Sequence, residues 1–77
     1  MSRSVRFLTR DGCRLCDAAM PLVARRVGRR GWSLEVIDVD RSGAADEFGD
    51  RVPVVMLDGV EVLSGRFGSR EIRRMLR

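Results

Sequence analysis

Cys13 and Cys16 stand where an apolar run, Val5-Arg6-Phe7-Leu8, gives way to a stretch whose apolar residues recur at every third or fourth position. The first segment fits a β-strand, and Leu15, Ala18, Ala19, Leu22, Val23 and Val27 fit one face of a helix. The two cysteines therefore fall on the first turn of that helix, which ties a strand end, a turn and a helix N-terminus together. They are the only cysteines in the chain. Their spacing of three puts both sulfurs on one side of the helix, near enough to close a disulfide without unwinding the backbone.

The position matters electrostatically. The first turn of a helix presents unpaired backbone N–H groups and the positive end of the macrodipole, and both favour a thiolate over a thiol. A cysteine so placed titrates between roughly 3.5 and 7.5 instead of about 8.5. Cys13, nearest the helix end and close to Arg10 and Arg14, is expected to be the more activated of the two. Reversible thiol–disulfide exchange is the leading chemistry that this pair implies.

With 77 residues the chain is expected to form one domain over 1–77, with a core near the lower limit of what folds unaided. A composition of 44% hydrophobic and 34% charged residues is that of a folded chain, not a disordered one. No run approaches the roughly 18 apolar residues of a membrane span. Arg6, Arg10 and Asp11 interrupt any signal-peptide core. The expected location is the cytoplasm, away from membranes, where an isolated cysteine pair is catalytic or metal-binding more often than structural.

All fifteen basic residues are Arg, and the formal net charge is +4. Eleven carboxylates are interleaved with them between Asp11 and Glu71. That is the pattern of a solvated surface, not of a phosphate-binding stripe, so nucleic acid is not an expected partner.

The elements read in the order strand, helix, strand, short helix, strand, strand, helix. Gly28 and Gly31 stop the first helix, and Leu34–Val39 reads as a second strand, which makes a right-handed parallel βαβ unit. Asp40 or Ser42 is suited to cap a brief helix through Ala44, Ala45 and Phe48 that ends at Gly49. Val54–Leu57 and Val60–Leu63 flank Asp58-Gly59, a strong signal for a type I′ hairpin. Ser69 is a good N-cap for a final helix with Ile72, Met75 and Leu76 as its apolar stripe. Phe7, Leu22, Val23, Val36, Val54, Met56 and Ile72 are expected in the core. Pro21 should kink the first helix, Trp32 should pack at a strand edge, and Asp17 should be a solvated helix-face carboxylate. Pro53 opens the third strand, either as an ordinary strand-start residue or as a cis-proline turn.

This order of elements, with C-x-x-C at the first helix and Val52-Pro53 opening the third strand, resembles the thioredoxin fold. The likeness is greatest to small glutaredoxin-like proteins. It spans Val5 to Leu76 and rests on Phe7 through Asp17, Phe48 through Val54, and Leu57-Asp58-Gly59. It implies an α/β, glutaredoxin-type thioredoxin-like fold, with a four-stranded mixed sheet in βαβ-α-ββα order flanked by helices. It further implies that Pro53 is cis and lies against the cysteines, and that the backbone of Val52 pairs with substrate as an added strand segment would. Glutathione-using relatives commonly carry Cys-Pro-Tyr-Cys, Thr-Val-Pro and a Gly-Gly-x-Asp-type segment. Here Arg14-Leu15, Arg51-Val52-Pro53 and Gly65 through Ser69 occupy those places. Arg10, Arg51 and Arg66 are cationic substitutes for carboxylate-binding residues, and Ser69 is a substitute helix cap for an anion.

The resulting expectation is an enzyme, a disulfide reductase in which Cys13 attacks and Cys16 resolves. Its substrates are protein or low-molecular-weight mixed disulfides. Substrate contacts are expected at Val52, Pro53, Arg10, Arg51, Arg66 and Ser69. No tightly bound cofactor or metal is expected; glutathione or another small thiol is the co-substrate, an external reductant or reductase restores the dithiol, and the chain is a monomer. Two alternatives stay open. A metal or iron–sulfur centre needs ligands from a second chain, because one chain offers no His and no further Cys. A redox-silent interaction domain keeps the fold without the chemistry.

Overall fold

A computed structural model describes residues 2–77. Four strands and four helices follow one another in the order β1 (Ser4–Thr9), α1 (Arg14–Arg30), β2 (Ser33–Asp38), α2 (Val39–Ser42), α3 (Ala45–Phe48), β3 (Val54–Leu57), β4 (Val60–Ser64) and α4 (Ser69–Met75). The strands lie in the order β2-β1-β3-β4, with β1 parallel to β2 and β3 antiparallel to both β1 and β4.

The period-two alternation of β1 and β3 divides the apolar side chains between two faces. On one face Val5, Phe7, Val55 and Leu57 pack under the α1 stripe of Cys16, Ala19, Val23 and Val27, and Ile72 and Leu76 close the same core. On the other face Leu8, Val39 and Val54 pack with Ile37, Phe48, Val52 and Met56 beneath α2 and α3. Trp32 is half-buried against the first core at the start of β2, with the guanidinium groups of Arg3 and Arg30 over its ring.

Four expectations about local structure are corrected. The brief helix is two helices, because Gly43 takes φ 80° and breaks the run; an L-residue with a side chain seldom adopts that conformation. Its first turn is capped by Asp38, whose Oδ1 accepts from the backbone N–H groups of Asp40 and Arg41, not by Asp40 or Ser42. Ser69 is the first residue of α4 and not its cap. Gly68 holds that place, and the Glu71 carboxylate reaches back to accept from the Gly68 N–H at 2.8 Å. Val36 is 48% exposed because β2 is an edge strand that α1 does not fully cover. Leu22 and Met56 are half-buried, and Phe7, Val23, Val54 and Ile72 are buried.

The α1 helix runs unbroken through Pro21. It ends at Gly31, where the N–H groups of Gly31 and Trp32 return to the carbonyls of Gly28 and Val27. Asp58 and Gly59 both take positive φ, 50° and 85°, as the expected hairpin turn requires. The Asp58 carboxylate also accepts from the Ser4 backbone N–H at 2.9 Å and from Arg3 Nε at 2.7 Å, which fastens this hairpin to the start of β1.

Candidate active site

The C-terminal end of β1 and the N-terminal end of β3 meet at one edge of the sheet, because Leu8 pairs with Val54. Beyond Thr9 the chain turns through Asp11 and Gly12 into α1; ahead of Val54 it passes through Val52 and Pro53. Topology thus sets the cysteine turn and the proline loop side by side, and Cys13 and Val52 pack on the same buried cluster.

Cys13 is the N-cap of α1, with extended backbone at φ −93° and ψ 105°. Its Sγ accepts from the backbone N–H of Cys16 at 3.1 Å. One of the otherwise unpaired donors of the first turn is therefore aimed at sulfur. The two cysteines form a disulfide with Cα atoms 5.2 Å apart, within the ordinary span for such a bond. Their exposures differ: Cys13 is half-buried, whereas Cys16 is 1% exposed and belongs to the core. An incoming reagent reaches the outer sulfur first.

The Val52–Pro53 peptide bond is cis. Pro53 is buried and Val52 half-buried. The loop is held by Gly65, whose N–H lies 3.0 Å from the Arg51 carbonyl and 2.9 Å from that of Pro53. Among the described residues, the backbone of Val52 makes no hydrogen bond of its own outside the strand ladders.

The cationic residues read from the sequence are placed differently from one another. Arg10 grips Asp40 with two nitrogens, at 2.6 and 3.2 Å, and donates a third hydrogen bond to the Gly49 carbonyl at 3.1 Å. The pairing holds Asp40 below the usual carboxylate range. Arg51 donates to Glu61 at 2.6 Å and lies over the Phe48 ring. Both guanidinium groups thus brace the loops around the site. Arg66 is exposed and makes no ion pair among the described residues. Ser69 lines a groove between α1 and α4 with Leu22, Arg25, Arg29 and Arg73. No group of three or more metal-ligating side chains forms among the described residues, and no helix among them is long and apolar enough to cross a membrane.

One feature of the site had no signal as a motif. Thr9, Arg10, Asp11, Asp17, Met20, Pro21 and Val36 line an open groove that reaches Cys16 from the β2 side. The exposure of Val36, which comes from the strand order, is what creates it.

Residues 4–77 match the family model "Glutaredoxin-like domain (DUF836)". The chain belongs to this glutaredoxin-like family. It is 43% identical to an uncharacterized protein of Mycobacterium tuberculosis over 68 residues, which cover 79% of this chain and 70% of that one. A structural-genomics target protein from X. campestris superposes with a TM-score of 0.76 at 28% identity, covering 94% of this chain and 93% of the other. A mutant thioredoxin from Halobacterium salinarum gives a TM-score of 0.73 at 23% identity, covering 97% of this chain and 72% of that protein. The fold of this glutaredoxin-like chain is thioredoxin-like, and its close cysteine pair occupies the helix N-terminus on that fold.

Proposed function

We propose that the protein is a thiol–disulfide oxidoreductase that reduces disulfides through Cys13 and Cys16. The observation that carries this reading is the asymmetry of the pair: one sulfur at a helix cap and within reach of solvent, the other buried one turn below it. The Cys13 thiolate attacks one sulfur of a substrate R–S–S–R. A Cys13–S–S–R bond forms as the substrate S–S bond breaks, and the first R–S⁻ leaves. Cys16, once deprotonated, attacks the Cys13 sulfur, expels the second R–S⁻ and leaves the Cys13–Cys16 disulfide. Two electrons pass from the protein dithiol to the substrate, and the two protons of the dithiol end on the two released thiols. An external thiol or reductase returns the dithiol.

The helix terminus stabilises the thiolate before the attack. The substrate segment on one side of the attacked sulfur lies along Val52 and Pro53, where the unpaired Val52 backbone supplies strand-like hydrogen bonds. Arg10 and Arg51 hold the loops that shape this edge.

Single substitutions separate the roles. Cys13→Ser should abolish turnover of any disulfide. Cys16→Ser should accumulate a Cys13–substrate adduct, visible as the added mass of one substrate thiol, and retain at most monothiol exchange. Equal loss in both variants with no adduct would refute the assignment and point to a metal-binding or structural pair.

A further inference from the structure

The proposal here rests on the oxidoreductase reading above and narrows its substrate class. We propose that the groove beside Cys16 selects disulfides whose flanking groups are apolar and cationic, and that it discriminates against anionic small thiols, glutathione among them.

Three observations lead there. The first is the fate of the cations around the sulfurs. Capture of a thiol bearing carboxylates requires free guanidinium groups, yet Arg10 is held by Asp40 and the Gly49 carbonyl, and Arg51 by Glu61. Arg10 lines the groove, but its guanidinium is already engaged in these bonds; Arg14 and Arg66 make no ion pair among the described residues, and neither lines the groove.

The second is the groove itself, an open depression of about 590 Å³ that includes Cys16 in its wall. Met20, Pro21 and the exposed edge-strand Val36 give it an apolar floor. Asp11 and Asp17 stand at its rim, both exposed and neither in an ion pair among the described residues. An apolar floor flanked by carboxylates complements a side chain with an aliphatic stem and a positive end.

The third is the distribution of charge over the molecule. Eight of the fifteen arginines lie in the C-terminal half of α1 or from α4 onward, a region with a single carboxylate, Glu71. In the rest of the chain seven arginines meet ten carboxylates. These two helical segments therefore carry a formal charge of +7, and the remainder of the molecule, which includes the α1 N-terminus, carries −3.

Three small symmetrical disulfides test the proposal: cystamine, which carries two ammonium groups; 2-hydroxyethyl disulfide, which is uncharged; and dithiodipropionate, which carries two carboxylates. The rate constant of the reduced protein with each is divided by that of free dithiothreitol with the same compound, which removes differences in intrinsic reactivity. The expected order is cystamine first and dithiodipropionate last. In the Asp11→Asn/Asp17→Asn variant the cystamine-to-dithiodipropionate ratio should fall by about three- to tenfold, the scale of two exposed charges. In the parent the ratio should shrink as salt is raised to about 0.5 M. A ratio near one or reversed in the parent, or one that the double substitution leaves unchanged, overturns the charge selection while leaving the oxidoreductase intact. Reduction of none of the three overturns the oxidoreductase reading itself.

Discussion

The backbone N–H of Cys16 points at the sulfur of Cys13 across 3.1 Å, so the outer cysteine also caps the helix that carries it. Serine places a hydroxyl at the same point and is among the best N-caps, whereas alanine offers no acceptor. In reductant, where no disulfide contributes, Cys13→Ser should keep or slightly raise the unfolding free energy. Cys13→Ala should fall below the parent, and below Cys13→Ser by about 0.5–2 kcal/mol. Urea unfolding of the reduced variants checks this. An alanine variant as stable as the reduced parent would show that the sulfur does not act as a cap. A folded, inactive Cys13→Ser protein also ensures that its lost turnover reports chemistry.

Gly49 is buried where three segments meet. A Cβ there would stand 2.5 Å from the Ala45 carbonyl oxygen and 2.8 Å from Nη1 of Arg10, the nitrogen that donates to the Gly49 carbonyl. The Arg10 side chain has room to shift, but the Ala45 carbonyl already accepts the Gly49 N–H and cannot move freely. Gly49→Ala should therefore cost about 1–3 kcal/mol, the usual penalty for overpacking. Its denaturation midpoint should fall below that of Arg10→Ala, which loses only exposed or half-exposed contacts. A neutral Gly49→Ala would mean that the loop between α3 and β3 has slack.

Much of this architecture was legible because local signals agreed with one another. The Cys13 junction, the Asp58-Gly59 turn and the alternation of Val54 through Leu57 each have a short-range cause, and all three point to the same fold. What escaped depends on distant residues. Val36 reads as core by periodicity, yet its exposure is set by β2 being the outermost strand, which no local pattern encodes. Arg10 and Arg51 read as cationic substitutes for carboxylate-binding residues, and their partners Asp40 and Glu61 come beside them only when the chain folds. Ser69 reads as a cap because the competing Glu71–Gly68 hydrogen bond depends on which residue starts the helix. The groove beside Cys16 was invisible for the same reason as Val36.

Val36 and Val55 make a matched pair for testing that account. Both are valines in the sheet, but Val55 is fully buried in a central strand and Val36 is 48% exposed at the edge. Val55→Ala should cost about 2 kcal/mol or more through lost burial and an unfilled cavity. Val36→Ala should cost less than about 1 kcal/mol, because it removes only part of a buried surface and water can fill the space. Equal costs would indicate that β2 is covered in solution. Because Val36 floors the groove, its alanine variant should also slow the reduction of apolar disulfides more than its stability loss accounts for.

Asp58 links protonation to the closure of the hairpin onto β1. The Ser4 backbone N–H and then the Arg3 guanidinium hold its carboxyl below the ordinary carboxylate range in the folded protein. A folded-state value below the unfolded one, which is about 3.9, means that the carboxylate stabilises the fold above that pH. The contribution is lost as pH falls through the lower, folded value. Asp40, held down by Arg10, adds in the same direction and over the same acid window. The thermal midpoint should therefore be level near neutrality and drop below about pH 4. Asp58→Asn isolates the charge, since asparagine tolerates the positive φ of 50° and still offers a carbonyl to the Ser4 N–H. This variant should melt below the parent at neutral pH, and the two curves should converge in acid. Curves that stay parallel down to about pH 2 would show that the Asp58 charge does not contribute to stability.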